Sequence, residues 1–259
     1  MNDINITSTP PIPPQIPSAL FVSTPLGEHP DDRVPITGPV SAVEAMLRQP
    51  RRMLFQLRQA GAPGIIAGLL FVALLCAVVY GVVVGTFSGG AQLWIAPAKI
   101  AGGMLVCAVI CLPSLYIFSC LAGSQARLIE VVGLVAGLLV LTTILLIGFA
   151  PVAWVFSQST SSLAAMGALH LAFWLVATFF GWRFLRNGFK HLSAQSSGAL
   201  YVWMFIFVIV CVQMTTALRP IIGTSETFFP DPKEKKFFIA HWIDTMEKSS
   251  ANKPVAPQR

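Results

Sequence analysis

Five long apolar runs constrain this chain more than any other feature. They cover Gly64–Thr86, Ala98–Leu121, Val131–Phe156, Ser162–Leu185 and Ala199–Leu218. A hydrocarbon core of roughly 30 Å is crossed by about 20 helical residues, and each run is of that order. A buried helix of a soluble domain is shorter and alternates with charge, yet Val131–Phe156 holds no charged residue. The expected fold is therefore all-α: a polytopic transmembrane bundle with five spans over residues 63–220.

Composition agrees. Charged residues make up 11% of the 259 and hydrophobic residues 55%, where soluble domains carry about 25% charge. The spans consume most of the chain, which leaves no room for a large extramembrane catalytic domain. The first long apolar run begins near Gly64, too late for the apolar core of a cleavable signal peptide, so the first span is expected to act as an uncleaved signal-anchor.

The flanks divide into three. Residues 1–40 hold Pro10, Pro11, Pro13, Pro14, Pro17, Pro25, Pro30, Pro35 and Pro39 and few apolar groups, and are expected to be a disordered, proline-rich cytoplasmic leader. Residues 41–62 carry Val43, Met46, Leu47, Leu54 and Leu57 at roughly helical spacing beside Arg48, Arg51, Arg52 and Arg58. Two short helices meeting at Pro50 are expected there. They either lie in the membrane interface with guanidinium groups near headgroups or pack beneath the bundle. Residues 221–259 are expected to be an aromatic outer tail, with an amphipathic helix over 233–248 bearing Phe238, Ile239, Trp242, Ile243 and Met246 on one side.

Basic residues near the spans give the orientation. With the N-terminus cytoplasmic, that side carries Arg48, Arg51, Arg52, Arg58, Arg127, Arg183, Arg186 and Lys190, eight residues against Lys99 and Arg219 on the other. An odd number of spans then puts the C-terminus outside. The net charge of +6 reads as topology, since no basic face interleaved with base-stacking aromatics points to nucleic acid.

Within the spans, Gly64 and Gly68, Gly81 and Gly85, and Gly133 and Gly137 form G-x-x-x-G pairs. They are expected to mark helix contacts, because close backbone approach drives association in lipid. Pro113 and Pro151 should kink the second and third spans. His170 is the ionisable group nearest the middle of a span and a candidate polar site together with Lys99 and Gln213. Its expected partner is a facing backbone carbonyl or hydroxyl, with Gln213, Thr215, Thr216, Ser114 and Ser119 as candidates. Lys99 either snorkels to the outer interface or forms a headgroup site with the polar loop Ser157–Ser162. Glu130 stands alone at the cytoplasmic end of the third span. Cys107 and Cys111 lie four apart on one helix face, a spacing open to a soft metal, but single thiols packing as small apolar groups are the favoured reading.

Enzymatic signatures such as H-E-x-x-H, G-x-S-x-G or a phosphate-binding glycine loop do not occur in the sequence. No cofactor and no metal ligand set is expected. The basic segment Ala45-Met-Leu-Arg-Gln-Pro-Arg-Arg-Met-Leu-Phe55, the stretch Tyr80-Gly-Val-Val-Val-Gly-Thr-Phe-Ser-Gly-Gly-Ala-Gln92 and Leu112-Pro-Ser-Leu-Tyr116 together resemble the Yip1-type family of small five-span membrane proteins. That resemblance covers residues 40–220 and implies membrane organisation or trafficking, without implying any functional residue. The leading expectation is a non-enzymatic integral membrane scaffold or accessory subunit organising membrane or partner proteins. Its partners would be the lipid bilayer and other membrane proteins or a second copy, in a bacterial inner membrane. The alternative is a small transporter or channel using a polar cavity around His170.

Overall fold

The computed structural model describes residues 26–192 and 198–218. Among them a short 3-10 turn, Pro30–Arg33, precedes seven helices: α1 (Pro39–Arg48), α2 (Pro50–Gln56), α3 (Ala62–Thr86), α4 (Gln92–Leu121), α5 (Leu128–Ser159), α6 (Leu163–His191) and α7 (Gly198–Ala217). The described residues contain no strand. Helices α3 to α7 are each long and apolar enough to cross a membrane, and the chain is a multi-pass membrane protein. The expected tail helix over 233–248 and the leader before residue 26 lie outside the described residues.

The helices outrun the apolar counts. At 1.5 Å per residue, the 32 residues of α5 run about 48 Å, well past a hydrocarbon core. Hydropathy marks the part of a helix that meets acyl chains. The backbone carries on into polar flanks because its own hydrogen bonds do not depend on lipid. The second span accordingly begins at Gln92 rather than Ala98 and takes Pro97 into its interior.

Short links make consecutive spans antiparallel. The α3–α4 link turns on Gly89 and Gly90, both at positive φ (65° and 55°), a conformation that costs glycine little. Helix α5 is the axis: α3 packs on it from one side and α6 from another, while α4 rests on α3 and α7 on α4. Of its most apolar window 67% is buried, against 17% for α6. The starts of α3, α5 and α7 and the ends of α4 and α6 share one end of the bundle, where Arg58, Arg127, Arg183, Arg186 and Lys190 also lie. There Ser124 Oγ and Gln125 N–H both donate to the Leu192 carbonyl (3.0 and 3.3 Å), joining the α4–α5 link to the end of α6.

The same end carries a cap. Helices α1 and α2 meet at Pro50, which opens α2, and fold under the bundle rather than lying free in the interface. Ala42, Ala45, Met46, Met53, Leu54 and Leu57 are buried. Met46 reaches Gly137 of α5, Leu57 sits on Gly133 of α5, and Pro39 lies against Gly68 of α3. Where the alternative is water, burying each Met or Leu contributes roughly 1.5–3 kcal/mol.

Residues 26–38, part of the leader expected to be disordered, are held in place by specific contacts. The buried Asp32 carboxylate accepts from the Gly27 N–H (3.0 Å) and pairs with Arg51 Nη2 (3.5 Å). Arg33 Nε donates to the Gly27 carbonyl, and Arg52 donates to the Val34 and Pro35 carbonyls, each at 2.9 Å. Proline prevents helix here but leaves carbonyls free, and arginines brought in by α2 tie those carbonyls down.

Candidate functional site

Three polar places stand out in an otherwise apolar bundle. The first joins α3 to α6. Tyr80 is buried on α3, and its hydroxyl lies 2.7 Å from His170 Nδ1 of α6. The rings meet edge-on with centroids 5.7 Å apart. Val84, Leu146, Ala150 and Ala177 form the surrounding cluster, flanked by Phe173 and Trp174. A neutral imidazole carries one ring proton. Either the tyrosine hydroxyl donates to Nδ1 and Nε2 is protonated, or Nδ1–H donates to the hydroxyl. His170 Nε2 is shielded and has no hydrogen-bond partner.

The hydroxyl that faces His170 belongs to Tyr80, a residue not among the candidates named for it. The signal for it was a phenol inside an apolar run whose other aromatic residue is Phe71, since a buried tyrosine hydroxyl usually finds a partner. Ser114, expected as a partner, instead donates to the Cys111 carbonyl (2.8 Å), and Ser119 donates to the Tyr116 carbonyl (2.7 Å). Thr215 donates to the Val212 carbonyl (2.6 Å).

Lys99 and Gln213 lie on α4 and α7, the pair of helices that packs beyond α3. Lys99 is buried rather than snorkelled, two turns along α4 from the buried Gln92, whose amide has no partner. The polar loop proposed to complete a Lys99 site is engaged with its own backbone. Ser157 Oγ donates to the Trp154 carbonyl, Ser159 Oγ to the Val155 carbonyl, and Ser162 Oγ accepts from the Ala165 N–H.

A further polar pair lies between α5 and α6. The hydroxyls of Thr142 and Thr178 are buried without a partner, whereas neighbouring Thr143 donates back to the Leu139 and Val140 carbonyls (2.9 and 3.0 Å). Gly181 brings the α6 backbone down onto Thr142. An added Cβ would stand 2.8 Å from its Oγ1 and 3.2 Å from the Leu138 carbonyl oxygen.

The glycine pairs divide by what they touch. Gly81 and Gly85 hold the α3–α4 contact against Pro97 and against Gln92 and Leu93. Gly133 and Gly137 serve the cap and α6 instead of a second glycine face, meeting Leu57, Met46 and Phe184. Gly68 meets Pro39. Gly64 makes no close contact among the described residues, because a side chain there would enter open space. Gly181 and Gly188, which have no glycine four residues away and so fall outside the G-x-x-x-G spacing, make the close α5–α6 contact. Pro113 and Pro151 both lie inside continuous helices. Next to Pro113, Trp203 Nε1 of α7 donates to the Cys111 carbonyl and to Ser114 Oγ, both at 3.2 Å. The acceptor is not the Val109 carbonyl that the proline leaves without its helical donor.

The second place is the basic end. Glu130 is not alone: it is fully buried and forms an ion pair with Arg58 Nε. Its other oxygen accepts from the Arg127 N–H (2.7 Å) and caps α5. A carboxylate beside helix α5's first turn also complements the helix dipole. Arg58 thus fastens the cap to the bundle, while Arg51 and Arg52 fasten α2 to the 26–35 segment within the cap.

The third place is the lower part of α6. Arg186 stacks over Trp182 (5.1 Å to the ring centroid) and Tyr201 of α7 (5.9 Å), and its Nη1 donates to the Tyr201 hydroxyl at 2.7 Å. Trp182 and Tyr201 are 4.8 Å apart. Arg183 and Lys190 are exposed on the same helix.

The thiols of Cys107 and Cys211 face each other across α4 and α7. Among the described residues no group of three His, Cys, Asp or Glu side chains is arranged to hold a metal ion. A cavity of about 10 Å³ between α3, α4 and α5 is lined by aliphatic residues, Leu70, Ala73 and Met104 among them, and excludes His170 from its wall. No family model, no curated protein and no solved structure matches this chain.

Proposed function

We propose that this chain is a non-enzymatic membrane scaffold or accessory subunit, organising membrane or partner proteins at its basic end. The observation that carries this reading is the cap. Some thirty residues outside the spans are committed to a fixed platform, clamped by Arg58–Glu130 and Arg51–Asp32 and seated through Met46 and Leu57 on α5. A platform pinned to a largely apolar bundle suits holding a partner in place. The proposed setting is a bacterial inner membrane with the capped end cytoplasmic, as the basic residues favour, and a Yip1-like relationship is part of the same proposal. Affinity purification of the full chain in mild detergent tests it. A membrane protein co-purifying in fixed ratio, and lost when the cap is loosened by Arg58→Ala, is the expected result. A chain that stays monomeric and partnerless argues against the scaffold reading.

A second reading, a small transporter or channel working at His170, draws support from one observation: His170 Nε2, Thr142 and Thr178 each keep a polar atom without a partner inside the bundle. Solute flux into liposomes that drops in His170→Ala and Tyr80→Phe would favour it. Flux that is unchanged in both removes its support.

A further inference from the structure

The basic residues of the capped end fall into two kinds. Arg48, Arg51, Arg52 and Arg58 each have a protein acceptor: Glu44, Asp32, the Val34 and Pro35 carbonyls, and Glu130. Arg183 and Lys190 have no hydrogen bond or ion pair among the described residues, and Arg186 bonds a neutral phenol. Charge beside a bilayer that has no counter-charge among the described residues is available to an anion from outside.

Spacing gathers these groups into one stripe. Phe179, Arg183, Arg186 and Lys190 follow one another at four-, three- and four-residue steps, and Trp182 stands four before Arg186, so they share one face of α6. The apolar end of the stripe is Phe179, half exposed where acyl chains pass, and the charged end is where α6 leaves the hydrocarbon. Tyr201 of α7 closes the side. Arg186 is held rather than free. Two aromatic faces and the Tyr201 hydroxyl fix its plane, and a fixed guanidinium offers its remaining N–H groups as a fork matched to a phosphate. Arg186 Nε and Trp182 Nε1 are shielded donors, so the groups left to meet a phosphate are the outer N–H groups of the guanidinium end.

We propose that this face of α6, Arg183, Arg186 and Lys190 with Trp182 and with Tyr201 of α7, binds the phosphate of an anionic lipid headgroup, with the lipid's acyl chain running along Phe179. A topological role for the three cations needs only their charge. It gives no reason for the aromatic clamp on Arg186, and that clamp is what separates a binding site from a count of positive residues.

The test uses the full chain in detergent micelles, mixed with phosphatidylglycerol or with phosphatidylcholine, and counts retained lipid by native mass spectrometry. Phosphatidylglycerol should be retained and phosphatidylcholine not, with retention falling as salt is raised. Replacing all three cations (R183Q, R186Q, K190Q) should weaken phosphatidylglycerol binding by roughly 100-fold, the effect expected of three cations at a charged surface. Arg127→Gln, which removes one basic charge at the same end, should leave binding within about threefold of the parent, less than one cation on the site would cost. Two gentler changes guard against misfolding. Arg186→Lys keeps the charge but loses the fork, and Tyr201→Phe removes only the hydroxyl; each should give an intermediate loss while the protein elutes as the parent does. Equal retention of both lipids, or full phosphatidylglycerol binding by the triple variant, overturns the proposal. Inorganic phosphate that displaces phosphatidylglycerol completely overturns the lipid source in favour of a soluble phosphate.

Discussion

The two arginine-bearing regions at the capped end look alike in the sequence and behave differently in the fold. In the cap, arginines are internal fasteners, spent on Asp32, Glu130 and the carbonyls of Val34 and Pro35. On α6, Arg183 and Lys190 point away from the protein and Arg186 rests on aromatic rings. The difference is where carboxylates and open carbonyls end up. Asp32 and Glu130 are buried beneath α2 and within its reach, whereas the exposed stripe of α6 has no acid near it in sequence. A basic residue is structural when the chain supplies its acceptor, and available to the bilayer when it does not.

That contrast can be broken by mutation, and the largest effect should come from Arg58→Ala. It strands the fully buried Glu130 carboxylate with only the Arg127 N–H; breaking a buried pair from one side costs about 3–5 kcal/mol, and the part-exposed Arg58 guanidinium puts this pair at the low end, about 3 kcal/mol. Thermal unfolding in detergent should show a large fall in midpoint. Gly133→Ala comes next. Its methyl would overlap Leu57, so the cap has to shift or the leucine change rotamer, at roughly 1–3 kcal/mol. Limited proteolysis should then cut within residues 26–57 faster than in the parent, while Gly64→Ala, facing open space, should match the parent. Arg52→Ala removes two exposed hydrogen bonds to the 34–35 segment and should cost about 1 kcal/mol, seen as faster amide exchange there. Arg183→Gln should change stability by less than about 0.5 kcal/mol while weakening anionic lipid retention. If Arg183→Gln destabilises as much as Arg52→Ala, the division between fasteners and free cations fails.

Much of the fold was legible in advance. Five apolar runs became five helices, since nothing but a backbone that satisfies itself can cross lipid. Pro50 opened a helix as its missing N–H allows, and Gly81 and Gly85 met α4. The failures share one cause. Gly64 has the right spacing but faces outwards, and Gly181 and Gly188 lack the spacing but face α5. Glu130 looked solitary because its partner is 72 residues away. Tyr80 and His170 are 90 apart. Residues 26–40 looked disordered because the donors that order them belong to α2.

The sequence by itself decided the solvent of this protein. Apolar length sets how many times the chain crosses a bilayer, and that quantity is a sum over local residues, independent of partners. Which polar groups meet, which arginines are consumed and which are left to the lipid depended on helix rotation and long-range contact. Those are properties of packing between segments, and no local spacing encodes them.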